Sequence, residues 1–481
     1  MQRPDQANGE IHLYQAVARE LSDAIGAGTL KMGDRLPSTR KLCARFGVSM
    51  ATAVQAFREL ENRRLIEARP RSGFFVSRQP SRVAEPVVSK PPASARYVVT
   101  QSLLQEYLDT LALPGVVLLG AALPQPDWFP SDRLARLVAS IMRRKPNLVS
   151  TYTISEGADA LRQAIARRAL EMGCHLQAGD IIVTNGCVES LNLCLRAVVR
   201  PGETVALESP TYFVLLHILE NLGIKALEVP THPKTGISLE ALDLATSKPG
   251  AVKAVLLTPT YSNPLGSVMP DDSKARLVKL CEERGIALIE DDVYGDTFFG
   301  AARPLPAKAW DRRGSVMYCS SFSKTLAPGL RIGWTAPGRY LKQVSLIKRT
   351  TTMFTAQASQ LAIAEFINTG GYDRHLRGIR TALGEAARRF IDRIVETFPD
   401  GCRVVQATGG YMIWVELPPK VDAVELFRQA KAKGLVIAPG PLFTTTNRYR
   451  NFIRLSHCQS YSNAIHDGIA AVGQMASAMA R

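Results

Sequence analysis

Five short runs rich in β-branched and apolar residues recur through residues 97–481: IIVTNG, ETVALES, KAVLLTP, IALIEDD and SVMYCSS. Helical stretches separate them. Strands that alternate with helices must lie mostly parallel, because each return crossing is long enough to hold a helix. The larger part of the chain is thus expected to be α/β, a mostly parallel sheet covered by helices. In such folds ligand chemistry gathers at the C-terminal ends of the strands.

Those strand ends carry the chain's reactive residues. Lys324 follows the run ending at Ser321, among the hydroxyls of Ser320, Ser321 and Ser323, with Arg331 seven residues on. A partly desolvated lysine is neutral often enough to attack an aldehyde. The hydroxyls and the arginine suit a phosphate; a solvated loop lysine is the plainer alternative. Gly186 opens a helix after TN, and free amides at a helix start bind phosphate. Tyr212 follows the next strand, where its ring could stack on a flat cofactor or simply join the core. Asn263 precedes Pro264 in a turn after a buried strand. Asp291 and Tyr294 lie three apart in LIEDDVYG. A buried carboxylate there could pair with a pyridinium nitrogen, or the acids could cap a helix. Metal binding by Glu290, Asp291 and Asp292 is disfavoured, because no further acids or histidines complete a shell.

In the C-terminal third, Trp414 reads as core, Arg454 lies on a strand (NFIRLSHC), and Ala438 to Phe443 is expected to form a cleft loop.

The first eighty residues differ. Leu13, Val17, Leu21, Ala24 and Ile25 form one stripe of a helix ending at Gly26 and Gly28. In GDRLPSTRKLCARFGV, Ser38 can cap a helix with apolar Leu42, Cys43 and Phe46, stopped at Gly47. Ser49 caps the next helix, which buries Ala53, Phe57 and Leu60, with Val54 at the margin. Its other side shows Ala51, Thr52, Gln55 and Arg58. Two helices across a tight glycine turn make a helix-turn-helix whose second helix enters the major groove. LIEARPRSGFFV reads as a two-stranded wing. Residues 1–80 hold 13 basic and 8 acidic residues. Arg40, Arg69 and Arg71 are natural phosphate contacts, which give affinity without sequence information. Ser77 to Ala95 has four prolines and reads as an extended, exposed tether.

Composition sets the setting. Of 481 residues, 59 are lysine or arginine and 43 are acidic, a formal charge of +16 that favours a polyanionic partner. Eight scattered cysteines suggest neither a zinc site nor a disulfide framework. No apolar run spans a bilayer and MQRPDQANGE has no signal-peptide core, so a cytoplasmic protein is expected.

Two resemblances organise these features. Tyr14 to Val76, above all GDRLPSTRKLCARFGVS, resembles the winged helix of GntR regulators. That resemblance implies DNA contacts from Arg40, Ser49, Thr52 and Gly73, and Gln55 shares the exposed face. Met50 and Ala51 depart from the polar or basic residues common in the family. The body, in the order phosphate helix, tyrosine, Asn-Pro, Asp-x-x-Tyr, Ser-x-x-Lys and arginine, resembles fold-type I aminotransferases, with a smaller α+β C-terminal part. Together they resemble the MocR regulators.

The resemblance implies pyridoxal 5'-phosphate, with Lys324 as its Schiff-base (internal aldimine) partner and proton carrier. Asp291 would meet the ring nitrogen, Asn263 and Tyr294 the ring hydroxyl, and Tyr212 the ring face. Gly186, Cys187, Ser321, Ser323 and Arg331 would surround the phosphate. Tyr152 would reach the partner subunit's phosphate, implying a homodimer, and Arg454 would grip a substrate carboxylate. Cys187 stands where serine or threonine is usual, so the phosphate has one hydroxyl donor fewer, a weakening of about 1 kcal/mol. The expected domains are 10–76, a linker 77–96 and a body 97–481. The expected function is a DNA-binding transcriptional regulator that senses pyridoxal phosphate or an amino compound. The alternative is an aminotransferase with an accessory DNA-binding head, in which residual transamination is retained.

Overall fold

The computed structural model describes residues 13–26, 29–31, 33–62, 65–69, 72–76, 84–99, 102–152 and 155–481. The chain divides into two compact units, 1–83 and 84–481.

The smaller unit is built from α1 (Leu13–Gly26), α2 (Thr39–Phe46), α3 (Met50–Asn62), β1 (Ile66–Arg69) and β2 (Gly73–Val76). The Ser38 hydroxyl accepts from the Lys41 amide at 3.4 Å, and Gly47 ends α2 in the left-handed region at φ 64°. Ser49 caps α3: the Thr52 amide donates to its Oγ at 3.1 Å. Val17, Leu21, Ile25, Leu42, Ala53, Phe57 and Leu60 form the core, as the stripe predicts. Leu13, expected on that stripe, is exposed instead, because it is the first residue of α1 and has no neighbouring turn to cover it. β1 and β2 pair antiparallel, Ile66 opposite Val76 and Arg69 opposite Gly73. Phe74 of β2 stacks on Phe57 of α3 with centroids 4.4 Å apart, which fixes the wing against the helix. Gly28 and Arg71 lie outside the described residues.

In the larger unit the strands are β3 (Arg96–Tyr97), β4 (Ile182–Thr184), β5 (Thr204–Ser209), β6 (Lys225–His232), β7 (Gly236–Ile237), β8 (Ala254–Leu257), β9 (Ala287–Asp291), β10 (Val316–Ser321) and β11 (Gly333–Ala336). Among the described residues they make one sheet in the order β3-β6-β5-β8-β9-β10-β11-β4, with β7 beside β6. The central pairs β6–β5, β5–β8, β8–β9 and β9–β10 are parallel. β8 and β9 are buried at every position, the pattern of strands covered by helices on both faces. β12 (Arg403–Val404), β13 (Met412–Glu416), β14 (Ala438–Pro439) and β15 (Phe452–Ser456) form a second, antiparallel sheet in the order β12-β13-β15-β14.

Two expectations are corrected. The tether does not extend to residue 96, because residues 84–96 dock on the larger unit. The Val87 amide donates to Glu416 at 2.9 Å, the Thr231 amide to the Ser89 hydroxyl at 2.8 Å, and β3 pairs with β6. Proline-rich composition sets chain stiffness but says nothing of hydrogen bonds its neighbours make across the surface. Nor is Ala438 to Phe443 a cleft loop. It is buried, with Phe443 edge-on to Trp414 at 5.4 Å.

Candidate functional site

The C-terminal ends of β4, β5, β8, β9 and β10 open on one cleft with about 700 Å³ of empty space. Its lining includes Cys187, Tyr212, Thr258, Asn263, Asp291, Tyr294, Ser321, Ser323, Lys324 and Arg331. Residues far apart in sequence are thus neighbours because parallel strands all present the same end.

Alternation along β9 sorts three consecutive acids onto opposite faces. Glu290 accepts the amides of Ala307 at 2.7 Å and Lys308 at 2.8 Å. Asp292 pairs with Arg303 and accepts from the Tyr318 hydroxyl. Asp291 alone faces the cleft, where the Cys187 thiol donates to its Oδ1 at 3.4 Å. Burial pushes the Asp291 carboxyl up to about 7.

Lys324 stands across from it. Its Nζ donates to the Ala122 carbonyl at 2.8 Å, and burial holds its pKa below the ordinary lysine value. The amine is therefore neutral more often than a solvated one. The Tyr411 hydroxyl donates to the Lys324 carbonyl and holds the backbone there. The Tyr411 ring in turn packs edge-on to Tyr294, centroids 5.4 Å apart.

An anion cradle closes one end. Gly186, at φ 93°, leads into the helix Cys187–Val198. The positive φ favours glycine at 186, and a Cβ there would lie 2.5 Å from Arg331 Nη2 and push the guanidinium out of its present place. Arg331 donates to the Asn185 carbonyl and the Ser323 hydroxyl, each at 3.2 Å. The Ser321 hydroxyl lies 2.9 Å from Ser323 Oγ. Helix amides, two hydroxyls and a guanidinium converge here, the donor set a phosphate dianion needs. Cys187 is at this helix start but turns its thiol to Asp291, away from the role a hydroxyl would play in the cradle.

Arg454, on β15, is only 1% exposed. It donates to Asn263 Oδ1 at 2.9 Å and to the Gly120 carbonyl at 2.7 Å, and makes no ion pair among the described residues. With Asn263 Oδ1 taken, the amide nitrogen of that side chain is left for the cleft. Tyr152 is 82% exposed and does not join the cleft within one chain.

Sequence reasoning missed several groups. Ala122 and Tyr411 give no local sign of their contacts with Lys324. Glu208, the buried acid near the end of β5, accepts the Thr258 amide at 2.9 Å, and burial raises it to about 8. An acid in an otherwise apolar strand, just before Ser-Pro, was the available signal. In the smaller unit, Arg40, Ser49, Gln55 and Gly73 are exposed and Thr52 is half-buried. The Ser49 and Thr52 hydroxyls lie 2.8 Å apart. No helix among the described residues is long and apolar enough to cross a membrane.

Comparison with known proteins places both parts of the chain in families. Residues 129–469 match the model of aminotransferase class I and II, and residues 13–76 that of bacterial regulatory proteins of the gntR family. The chain is 35% identical to the uncharacterized HTH-type transcriptional regulator YjiR of Escherichia coli over 461 residues, 96% of this chain and 98% of that protein. It is 36% identical to YdcR, another uncharacterized HTH-type transcriptional regulator of Escherichia coli, with the same coverage of both chains. Among solved structures, the α-aminoadipate aminotransferase LysN of Thermus thermophilus, complexed with N-(5'-phosphopyridoxyl)-L-leucine, superposes with a TM-score of 0.72 at 26% identity. The match covers 79% of this chain and 95% of that one. This chain belongs to the aminotransferase class I and II family, and the gntR-type head joined to that body makes it a regulator of MocR type.

Proposed function

We propose that the protein is a DNA-binding transcriptional regulator, working in the cytoplasm, whose body holds pyridoxal 5'-phosphate and senses an amino acid. The donor chemistry of the cleft fits that cofactor. Gly186, Ser321, Ser323 and Arg331 would hold the phosphate, and Asp291 the ring nitrogen. Asn263 and Tyr294 would meet the ring hydroxyl, and Tyr212 the ring face. When bound, the cofactor supplies an aldehyde that captures primary amines and a ring that withdraws electrons from them.

Each protein group has a task in that setting. Lys324, kept partly neutral by burial, offers its amine and can take up a proton at Nζ. Asp291, once it faces a positive ring nitrogen, is drawn to its ionised form. Tyr294 holds a proton at its hydroxyl, which burial keeps well above the ordinary tyrosine range. The surrounding aromatic and aliphatic side chains exclude water.

The observation that carries the reading is Arg454: a buried guanidinium whose partners among the described residues are all neutral. Burying an unpaired charge is costly unless a ligand completes it. An amino acid carboxylate is such a ligand. Its amine would then lie toward Lys324.

The head would bind an operator through α3 and the wing, with Arg40 on phosphate and Thr52 and Gln55 toward the groove. Tyr152, unsupported within one chain, suits a homodimer in which it completes the partner subunit's site. A second reading, an aminotransferase carrying a DNA-binding accessory, is favoured by the coexistence of Lys324, Asp291 and Arg454. Two measurements separate the readings. Gel shifts with DNA flanking the protein's own gene should show binding that responds to the cofactor or an amino acid; no binding at low salt would reject the regulator. Steady turnover of amino donor and keto acid, unchanged by removing residues 1–76, would favour the enzyme.

A further inference from the structure

The guanidinium of Arg454 has five N–H groups in a rigid fork. Four are engaged. Nε and Nη2 donate to the Gly120 carbonyl at 3.2 and 2.7 Å, Nη1 to Asn263 at 2.9 Å, and Nη2 to the Tyr107 hydroxyl at 3.3 Å. One N–H remains, on Nη1. A carboxylate gripped across the end of the fork needs one N–H from each terminal nitrogen. One Nη2 bond must therefore give way. The bond to Tyr107 is the longer of the two, and its acceptor is a neutral hydroxyl.

Tyr107 lies on α4 (Ser102–Leu111), the first helix after the docked segment by which the chain enters the larger unit. Its ring is fully buried, against Phe213 at 5.8 Å and Phe427 at 6.1 Å, and its hydroxyl also reaches the Gly120 carbonyl at 3.3 Å. On the same helix Glu106 pairs with Arg428 at 3.3 Å and Lys431 at 3.7 Å. Two partly exposed ion pairs contribute little. The helix turns Leu103, Tyr107 and Thr110 inward, and of these Tyr107 reaches Arg454.

We infer that Tyr107 is a latch on Arg454. Seating a carboxylate on the guanidinium displaces the tyrosine hydroxyl and loosens α4. The site thereby distinguishes α-amino carboxylates from plain amines and reports the difference to the part of the body nearest the linker. This rests on the proposed reading of Arg454 as the carboxylate grip. Tyr107 touches neither cofactor nor amine; it acts through Arg454.

The test uses the full chain loaded with pyridoxal phosphate. L-Leucine and L-phenylalanine, each alongside its decarboxylated amine, are titrated against the visible band. Amide hydrogen exchange is followed across residues 102–111. In the wild type both amino acids should speed exchange in α4 and both amines leave it unchanged. Tyr107→Phe keeps the ring and removes the competing acceptor. It should tighten amino acid binding roughly threefold to tenfold, leave the amines unchanged, and show fast α4 exchange without any ligand. Weaker or unaltered amino acid binding would overturn the latch, as would equal shifts for acids and amines, the signature of a merely structural tyrosine. A wild type without the visible band overturns the cofactor reading and the latch together. A band that responds to the amines and not to the amino acids, or to neither, overturns the latch while the cofactor reading stands.

Discussion

The two units place their working side chains in opposite ways. In the head the candidate contacts are exposed: Arg40, Gln55 and Gly73 stand on the outside of a small core made by Leu42, Ala53, Phe57 and Leu60. In the body they are hidden: Asn263, Asp291, Tyr294 and Arg454 are all at most 5% exposed. The contrast follows from the partner. A DNA backbone is met from outside, by charges that stay solvated until contact and act through counterion release. A small flat cofactor is enclosed, by groups whose charge states are set by burial before it arrives. Function in the head therefore depends on surface charge, and function in the body on desolvation.

The sharpest break between the two is expected from Lys324→Ala. Borohydride treatment and peptide mapping should find the pyridoxyl adduct on the Lys324 peptide of the wild type and none on the variant. Binding of the head to DNA at low salt should persist. If the wild-type peptide carried no adduct even with excess cofactor, the account of the body would fail. Next in size, Arg454→Met should weaken amino acid binding roughly 10- to 100-fold, the scale of removing charge-assisted hydrogen bonds, and spare the plain amines. Equal losses for both would assign Arg454 a packing role.

For the head, Arg40→Ala should weaken binding to all DNA sequences by a similar factor and lower the salt slope by about 1. An unchanged slope would remove Arg40 from the phosphate contacts. The smallest effect concerns pH. Asp291 sits at about 7 in the folded, cofactor-free protein, far above an unfolded aspartate. A raised folded value contributes stability that is full below the ordinary carboxylate range and is lost as pH climbs through 7. The cofactor-free wild type should thus melt lower at pH 8 than at pH 5. Glu208, at about 8, adds to the same trend. Asp291→Asn should flatten the trend by roughly 1–2 °C over that interval, and added cofactor should flatten it too, since a positive ring nitrogen favours the ionised carboxylate. A slope indifferent to both changes would mean that Asp291 is ionised throughout.

Much of this was legible in the chain. The helix caps at Ser38 and Ser49, the stop at Gly47 and the two wing strands that pair Arg69 with Gly73 depend on neighbours within a few residues, so local chemistry reveals them. The strand runs are apolar because both faces are covered, and that too is written locally. Which acid of Glu290, Asp291 and Asp292 serves the cleft was narrowed by alternation alone, once β9 was known to be a strand. Less was legible where a contact joins distant segments. The docking of residues 84–96, the burial of Ala438 to Phe443, the Ala122 carbonyl on Lys324 and the Tyr107 bond to Arg454 all depend on such pairs, which lie up to 347 positions apart.

The amino-acid sequence by itself determined the two units, their element types and the candidate groups for phosphate, ring and carboxylate, because periodicity, caps and turn residues act over a few bonds. Only the tertiary structure decided which of those groups share a cleft, which way burial moves Asp291 and Lys324, and that the hydrogen-bond partners of Arg454 are neutral. Desolvation and long-range hydrogen bonds depend on every segment packed around a side chain, and no short stretch contains that information.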